Sequence, residues 1–353
     1  MRRPLLFSCA LLVFASGATA GELQWSGFAL LRAASADDTG PLAHDDLSAQ
    51  LQLGLDWWAS PAFGAHVHLL GRTGSEGRRA NVGVPEAYLE LNLRPGDDRL
   101  RFRGGAFFLP TSRENVDALW ENPYAISSSA LNSWLGEELR PIGVDASYFR
   151  KHAFAGATVF RGNDTLGALP PVRGWTLDDH WTLLGEWLPV DAEYFTSVSA
   201  ETDHRLGWSA RGGWNGEHLL VQLTHFDNRS DGLEYGRLFN WGTRFDIVSA
   251  EYTHGDWTFA AEDGWGPTYL IVEGAGRFTS EIEAGYALAS RRWGRSRATL
   301  RFDAFRVDDA RKNGVTAAYF WTGLPRLRLG GEVSSVDGSQ RVLLEVRYLF
   351  SGS

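Results

Sequence analysis

The stretch RLRFR, residues 99–103, alternates arginine with apolar side chains and runs directly into the apolar residues GGAFF. In an extended strand, successive side chains point to opposite faces, so one face carries three arginines and the other face is apolar. A soluble sheet would turn the apolar face to a core. A membrane-spanning barrel would turn it to lipid and the arginines to a water-filled lumen. The rest of the sequence must decide between these two structures.

The first twenty residues, MRRPLLFSCALLVFASGATA, have the pattern of a secretory signal peptide. A basic start precedes an apolar stretch, and the small residues that end at Ala20 predict cleavage before Gly21. The apolar stretch is too short to span a membrane as a helix. We therefore expect residues 1–20 to be a signal peptide and residues 21–353 to form a barrel in the outer membrane.

Composition supports an exported membrane barrel. Cys9 is the only cysteine and lies in the leader, so the mature chain has no disulfide. The chain has a net charge of −9, and the leader holds two arginines and no acid, so the remainder carries −11. This charge argues against nucleic acid as a partner. No later run of about eighteen apolar residues predicts a membrane helix, whereas 15 Trp, 20 Phe and 10 Tyr suit the aromatic girdles of a barrel.

Alternation with a period of two recurs along the mature chain. We predict strands at 23–33, 46–57, 62–72, 84–94, 98–107, 138–149, 152–161, 204–214, 217–227, 241–253, 256–265, 278–290, 297–308, 313–323, 326–336 and 340–350. Within one of them, Glu281 and Glu283 alternate with apolar residues, so we expect both acids to face the lumen. Each segment has about the ten residues of a tilted spanning strand.

The connections alternate between short turns and longer loops, the longest at about 108–137 and 162–203. This alternation is typical of a transmembrane antiparallel up-and-down β-barrel. The fold class is therefore all-β, with about sixteen strands, an even number as bacterial barrels require. Residues 162–203 and 266–277 are ambiguous, so the number of strands could be fourteen or eighteen.

The last predicted strand, VLLEVRYLF, resembles the closing strand of Gram-negative outer-membrane proteins. The residues that carry the resemblance are Leu344, Val346, Tyr348 and the terminal aromatic Phe350. It implies that the barrel-assembly machinery recognises this strand. The three residues after Phe350 depart from the family pattern, which ends at the aromatic residue.

The segment GAFFLPTSRENVDALWENPYAISSSALNSWLGEELRPIG, residues 105–143, resembles the strand–loop–strand segment of porin-like outer-membrane proteins of Proteobacteria, including relatives of the phosphate-selective porins. In general porins, a long loop after the fifth strand folds into the barrel and narrows the pore. The resemblance implies a passive channel for small hydrophilic or charged solutes, embedded in outer-membrane lipid and lipopolysaccharide. It also implies a homotrimer. We expect no cofactor.

We predict a pore constriction between the fifth strand and the loop that follows it. Its positive side is Arg99, Arg101 and Arg103, and its negative side is Glu114, Asp117 and Glu121. A transverse field between two such walls orients polar solutes and sets ion preference. The alternative is that the arginines pair with neighbouring acids and stiffen the wall. The sequence does not indicate whether anions or cations are preferred.

Alternative structures and functions remain open from the sequence. Alternation alone also fits a soluble β-sandwich or propeller. An outer-membrane hydrolase, or a surface adhesin or scaffold, could use the same barrel, although the chain has none of the common hydrolase or nucleotide-binding motifs. His66 and His68 share a strand face and could bind a metal, and Leu177–Trp181 in the longest loop could bind a cation. We expect no metal site and no enzymatic activity.

Overall fold

The computed structural model describes residues 21–36, 47–73, 80–115, 119, 121–175, 182–190 and 194–353. The predicted signal peptide, Asp117 and the segment Leu177–Trp181 lie outside these residues. Among the described residues, no helix is both long enough and apolar enough to cross a membrane.

The described chain is dominated by β-strands. They are β1 (Glu22–Ala36), β2 (Leu47–Trp58), β3 (Phe63–Arg72), β4 (Val82–Leu93), β5 (Arg99–Ala106), β6 (Ile142–Arg150), β7 (Ala153–Arg161), β8 (Trp187–Pro189), β9 (Phe195–Ser197), β10 (Gly207–Asn215), β11 (Leu219–Asp227), β12 (Glu234–Tyr235), β13 (Leu238–Phe239), β14 (Gly242–His254), β15 (Trp257–Val272), β16 (Gly276–Trp293), β17 (Ser296–Val307), β18 (Ala310–Leu324), β19 (Leu327–Val336) and β20 (Ser339–Gly352). The helices are α1 (Ala130–Glu138), α2 (Leu169–Arg173) and a 3-10 turn at Arg113–Asn115.

Sixteen of these strands form one closed antiparallel barrel. Each barrel strand pairs with the next barrel strand along the chain, and β20 pairs with β1 to close the sheet. The two remaining pairs, β8–β9 and β12–β13, are separate two-stranded hairpins in the loops. The prediction of sixteen strands is therefore confirmed, and a soluble sandwich or propeller is excluded.

The alternation of the sequence appears as two faces of the barrel wall. On β6, Val144 is 60% exposed on the outside and Asp145 is 0% exposed on the inside. Bulky apolar side chains cover the outside, and aromatic residues such as Trp214 and Tyr252 lie near the strand ends. An apolar belt bounded by aromatic side chains is the surface that a membrane-spanning barrel presents to lipid. This surface indicates that the barrel spans a membrane.

The two ends of the barrel differ in their connections. At one end the strands are joined by short turns such as 151–152 and 255–256. The other end carries the connections 107–141 and 162–206, which we name the first and the second inner loop. The ambiguous residues 266–277 extend β15 and β16 to a tight turn, so they add no strand.

The closing strand continues past the aromatic residue of the resemblance. Phe350 pairs with Gly27, and Gly352 pairs with Trp25 of β1. The residues that depart from the family pattern therefore still belong to the barrel as far as Gly352. Pairing of β20 with β1 leaves neither of these strands as an open sheet edge.

One predicted strand face is inverted. On β16, Ile282 and Ala284 are 1% and 0% exposed and point inward, whereas Glu283 points outward and pairs with Arg306 at 2.6 Å. The prediction that Glu281 and Glu283 face the lumen is wrong. The physical reason is that the inner loops place apolar side chains inside the lumen. Apolar side chains on the inward face of β16 are therefore also shielded from water.

Candidate functional site

The inner wall of the barrel carries paired charges. Asp145 accepts a hydrogen bond from Arg211 at 2.8 Å and lies 3.5 Å from Arg103. Thr158 also donates to the same carboxylate at 2.7 Å. A carboxylate between two guanidinium groups is neutralised locally, and charge-assisted hydrogen bonds hold its neighbours in place. This part of the wall therefore stiffens the barrel.

The first inner loop leaves β5 and crosses the lumen to the opposite wall. Gln222 on β11 donates to the carbonyl of Pro110 at 2.8 Å. Glu262 on β15 then accepts a hydrogen bond from Ser112 Oγ at 2.6 Å and from the backbone N–H of Arg113 at 2.9 Å. Side chains of the wall thus form the hydrogen bonds that the backbone of this loop segment does not form with a strand.

Arg301 on β17 binds the middle of the first inner loop. Its guanidinium donates to Asp303 at 2.7 Å and to Glu114 at 3.4 Å, and both side chains of each pair are fully buried. It also donates to the carbonyls of Ser127 and Ser128, both at 2.9 Å. A guanidinium has five N–H groups in a fixed fork, so one arginine can bind several turns of the loop at once.

A second cluster binds the same loop on the next part of the wall. Glu121 of the loop lies 2.5 Å from Arg347 and 3.5 Å from Arg328. Both arginines also contact Glu345 of β20, which accepts from Arg32 of β1 at 2.7 Å. Three arginines and two acids therefore connect the first inner loop to the seam where the barrel closes.

Helix α1 is a fully buried part of the first inner loop. Ser129 caps it, because its side chain accepts a hydrogen bond from the backbone N–H of Asn132 at 3.1 Å. All nine residues of the helix are buried, and it packs against β15, β16 and β17. Trp134 meets Phe245 of β14 edge to face with ring centroids 4.8 Å apart. The helix is therefore held by apolar packing inside the lumen.

The second inner loop packs against the first and against the wall. Arg173 of α2 donates to Glu137 of α1 at 2.6 Å, and Arg72 of β3 is paired with Glu186. Gly167 has φ +101° and lies so close to β14 and β15 that a Cβ would be 2.2 Å from the hydroxyl of Thr243. Only glycine adopts this conformation without strain and leaves room for the wall.

Together, the inner loops and the wall form an apolar core in the lumen, which we name the lumen core. Its loop members include Leu131, Trp134, Leu135, Leu139, Leu166, Leu169, Trp175, Leu188 and Val190. Its wall members include Phe160, Phe226, Phe245, Ile247, Ile282, Ala284, Phe305 and Val307. Barrels of this size enclose an aqueous channel when their interior is not otherwise filled. The lumen core therefore excludes water from part of that channel.

Solved structures with the same fold include known outer-membrane proteins. OmpT of Vibrio cholerae, an in-vitro folded outer membrane protein in trimer form, has a TM-score of 0.59 and 11% identity, over 94% of this chain and 100% of that chain. A porin refined at 1.8 Å has a TM-score of 0.55 and 10% identity, over 93% and 100%. A mutant of the Rh. blastica porin has a TM-score of 0.51 and 10% identity, over 93% and 100%.

The fold is that of an outer-membrane porin. No protein-family model matches the chain, and no curated protein matches its sequence. At about one identical residue in ten, the likeness concerns the fold, and the function must be inferred from the site.

The porin-like barrel places the predicted constriction residues in different environments. Arg99, Arg101 and Arg103 lie on the inner face of β5, but Arg103 is matched by Asp145 of the wall. Glu114 and Glu121 contact arginines of β17, β19 and β20 instead of those of β5. Asp117 lies outside the described residues. The structure therefore does not pair the two predicted sides, and a constriction lined by these six residues stays a prediction.

Sequence reasoning missed the residues that hold the inner loops. Arg301, Asp303, Glu262 and Glu332 bind loop backbone or loop side chains, and none of the four was predicted to contact a loop. A signal was present: inward positions toward the long-loop end of several strands carry Phe instead of a polar residue. Apolar residues on both faces of a spanning strand indicate that something fills the lumen.

Of the two candidate metal sites named from the sequence, only the histidine pair lies among the described residues. His66 Nδ1 lies 2.6 Å from Asp56, and buried His68 Nε2 lies 2.8 Å from Gln52, so each ring already has a protein partner. Leu177–Trp181 is not described. Asp164, Glu201 and Asp203 bring ligand atoms within 4.8 Å of one another in the second inner loop, and hydrogen bonds from Thr202 and Gly162 already hold two of these carboxylates.

Docking of the inner loops is expected to weaken as the pH rises from about 5 to about 8. Burial raises the pKa of Glu138 in α1 from 4.5 to about 8, because desolvation disfavours its charged form. Its carboxyl accepts hydrogen bonds from Trp134 and from the backbone N–H of Gly167, so it joins the two loops. The docked loops thus hold a proton that undocked loops release, and stability falls with pH between the two pKa values.

Limited proteolysis of the inner loops in the folded barrel at several pH values would measure this effect. The rate of cleavage, relative to that of an unfolded substrate, should increase from pH 5 to pH 8, level off above pH 8, and become independent of pH in Glu138→Gln. Glu217→Gln in a short turn is the matched control, because that side chain is 87% exposed and lies at the end of the barrel opposite to the inner loops. If Glu138→Gln keeps the full pH dependence of the unaltered protein, another group controls it.

Proposed function

We propose that this chain is a porin in function as well as in fold: a passive channel across the outer membrane for small hydrophilic solutes. The observation that supports this most directly is the closed sixteen-strand barrel with a charged inner wall and a loop after β5 that crosses the lumen. Because the inner loops occupy part of the lumen, we propose a narrow channel that admits only small solutes. Pore diameter and the charges that line it then determine selectivity.

The positive side of the proposed channel is Arg99 and Arg101. Their guanidinium carbons lie 4.1 and 5.7 Å from the ring centroid of Phe149. Among the described residues neither has an acidic group within 4.0 Å, whereas Arg103 is matched by Asp145. An unpaired guanidinium retains its charge for a passing solute. We therefore propose that the two arginines draw anions toward this wall and that Arg103 supports them.

The negative side is supported by a single described side chain. Glu114 is fully buried against Arg301, so its charge is compensated inside the protein. The side chain of Glu121 stays 29% exposed although it contacts Arg347. We propose that Glu121 faces Arg99 and Arg101 across the remaining gap and, from the sequence alone, that Asp117 joins it. Solutes would then cross a transverse field between these walls.

Planar-bilayer recordings test the proposal. The purified protein should give stepwise conductance. Replacing Arg99 and Arg101 together by glutamine should move the reversal potential in a salt gradient toward cation selectivity, because fixed positive charge is lost from the wall. Glu121→Gln should move it toward anions. Both shifts should shrink at 1 M salt, where the screening length is about 3 Å.

The control for this experiment is Arg291→Gln. Arg291 is an exposed arginine on the outer face of β16, with its guanidinium 5.4 Å from the ring of Trp257. It should leave the reversal potential unchanged. If neither the unaltered protein nor the double arginine variant shows conductance steps, a channel function is excluded. A double arginine variant with unaltered selectivity would instead reject only the proposed positive side.

An outer-membrane hydrolase is the alternative that a specific observation favours. His66 Nδ1 lies 2.6 Å from Asp56, and its ring stacks on Tyr88 with centroids 4.9 Å apart. A carboxylate that orients a histidine is part of many hydrolytic sites. Turnover of a phospholipid or a peptide that is lost in His66→Gln would favour an enzyme over a passive channel.

The proposed assembly is a homotrimer in lipid and lipopolysaccharide. The OmpT structure of the same fold is a trimer form, and the barrel here has the same strand arrangement over most of its length. We also propose that the barrel-assembly machinery recognises β20, on the basis of its resemblance to other closing strands. The mass of the purified protein in detergent would measure the number of copies.

A further inference from the structure

Three carboxylates meet where the second inner loop leaves the wall. Asp164 follows β7, and Glu201 and Asp203 precede β10, so both ends of the loop contribute. One ligand atom of each residue lies within 4.8 Å of those of the other two. Two oxygens that bind the same Ca²⁺ ion, each at about 2.3–2.6 Å, are at most about 5 Å apart. The separation therefore allows all three carboxylates to bind one ion.

Backbone N–H groups hold the three carboxylates in position. Oδ2 of Asp164 accepts hydrogen bonds from the N–H groups of Thr202 and Asp203. Oε2 of Glu201 accepts one from the N–H of Gly162 at 2.7 Å, and each oxygen of Asp203 accepts one as well. Oε1 of Glu201, however, is buried and accepts no hydrogen bond. A buried carboxylate oxygen without a donor is unfavourable unless another group binds it.

The cluster has no counter-charge in the part of the chain that the structure describes. Among the described residues, none of the three carboxylates has a nitrogen of Lys, Arg or His within 4.0 Å. Burial raises the pKa of Asp164 to about 6, and the charges of Asp203 and Glu201 raise it as well. By contrast, the buried carboxylate of Glu345 is surrounded by arginines. A bound cation would provide the charge that this cluster lacks.

A buried amide beside the cluster has a polar atom without a partner. Asn240, just before β14, is 0% exposed, and its Nδ2 has no hydrogen-bond partner. Its Oδ1 lies 2.7 Å from the hydroxyl of Thr202, which lies 3.1 Å from Oδ2 of Asp164. A hydroxyl has one hydrogen and cannot donate to both oxygens. When it donates to Asp164, the amide turns its NH₂ group to the hydroxyl, and the amide oxygen becomes the buried atom without a partner.

The chemistry of these groups selects a hard cation. Carboxylate and amide oxygens are the ligands that Ca²⁺ and Mg²⁺ prefer. Ca²⁺ accepts about six to eight oxygens in flexible geometry, whereas Mg²⁺ requires a nearly ideal octahedron and keeps several of its waters. Ligands that come from two ends of a loop and from a neighbouring connection suit the flexible geometry of Ca²⁺.

We propose that Asp164, Glu201 and Asp203 bind one Ca²⁺ ion, which fastens the two ends of the second inner loop together. Asn240 and water complete the coordination, so the connection between β11 and β14 is held at the same point. The ion thereby keeps the second inner loop docked in the lumen. The sequence did not predict this site, because Asp164 and Asp203 are 39 positions apart. The proposal is independent of whether the barrel conducts.

Calorimetric titration of Ca²⁺ into the predicted mature chain, after treatment with a chelator, tests the site. The protein is refolded in detergent without lipopolysaccharide, because the phosphates of that lipid also bind divalent cations. We expect about one site per chain, with a dissociation constant of about 10⁻⁴–10⁻³ M. Asp203→Asn should weaken binding by about tenfold or more, because the site loses one charged ligand. The control, Asp309→Asn, removes the same charge from an exposed turn at the same end of the barrel and should leave binding unchanged.

Terbium luminescence locates the ion. Tb³⁺ replaces Ca²⁺ at oxygen sites, and its emission is sensitised by a tryptophan close to it. Trp241 is buried and donates its backbone N–H to the carbonyl of Asp164 at 2.6 Å. Ca²⁺ should displace the sensitised emission. The emission should fall severalfold in Trp241→Phe, whereas this variant should bind Ca²⁺ like the unaltered protein.

Limited proteolysis tests the effect of the ion on the loop. Ca²⁺ should slow cleavage of the second inner loop in the unaltered protein but not in Asp203→Asn, and heat-dependent gel mobility shows that each variant still forms a barrel. The proposal is overturned if the unaltered protein shows no saturable binding up to about 10 mM Ca²⁺. It also fails if Asp203→Asn binds as tightly as Asp309→Asn, or if Trp241→Phe keeps the full emission. Binding that does not slow cleavage would reject the fastening of the loop.

Discussion

Replacing residues 164–203 by a short Gly-Ser turn is expected to raise the single-channel conductance several-fold. This change removes Leu166, Leu169, Trp175, Leu188 and Val190 from the lumen core. Water would then enter the space beside α1, because a barrel of sixteen strands is wide enough for an aqueous channel. The removed segment contributes several buried apolar side chains at once, so its loss should widen the path more than any single substitution.

The barrel should survive this deletion. Strands β7 and β10 are already neighbours, and Phe160 pairs directly with Gly207 at the end where the loop leaves. A short turn can therefore join them without a change of register. Arg72 and Glu137 lose their partners in the loop, but both become accessible to water, which compensates their charge. The measurement is the distribution of conductance steps in a planar bilayer.

A deletion at the same end of the barrel provides the control. The β12–β13 hairpin between 231 and 239 carries exposed Leu233 and Tyr235, and it contributes no residue to the lumen core. Its removal should leave the conductance unchanged. If removal of 164–203 also changes nothing, the narrowest part of the path lies in the first inner loop alone.

The strands could be predicted from the sequence because their signal is local. A spanning strand must alternate between lipid and lumen, and each alternating segment predicts its own position. The predicted strand at 217–227 is observed as Leu219–Asp227, and the one at 326–336 as Leu327–Val336. The short turns predicted where these strands end, because clusters of Gly, Pro and Asp interrupt the alternation.

The filled lumen could not be predicted in the same way. The start of the strand predicted at 138–149 was wrong, because Glu138 ends α1 and the strand begins at Ile142. The inverted face of β16 has the same cause: Ile282 and Ala284 are inward only because the inner loops cover them. Both features depend on contacts between residues far apart in the chain. Alternation tells which residues share a face, but not which face meets lipid.

The candidate site was predicted only in part. The three arginines of β5 lie on the face that was expected, since their spacing follows the strand period. Their partners could not be predicted, because the path of the first inner loop determines which wall charges it meets. Glu114 reaches Arg301 across 187 positions of sequence, and nothing in the sequence near either residue indicates this pair.

Arg301→Met is expected to release the first inner loop and to lower the thermal stability of the barrel. Without the guanidinium, the carboxylates of Glu114 and Asp303 stay buried without a cation, and two loop carbonyls lose a donor. Removing one partner of a buried ion pair costs roughly 3–5 kcal/mol. Since about 1.4 kcal/mol is a factor of ten, the equilibrium between docked and undocked loop should fall by roughly two to four orders of magnitude. The recordings should show larger and noisier steps.

Two further variants separate loss of the loop contact from general damage to the wall. Arg306→Met lies on the same strand, but its pair with Glu283 is 39% and 44% exposed, so it should change stability by less than about 1 kcal/mol. Arg301→Met combined with Glu114→Gln and Asp303→Asn should recover much of the lost stability, because the two carboxylates in direct contact with Arg301 no longer carry a buried charge. The decisive comparison is between these three proteins. If Arg301→Met behaves like Arg306→Met, the first inner loop is held by the apolar packing of α1, and the buried charges have little effect on whether the channel is open.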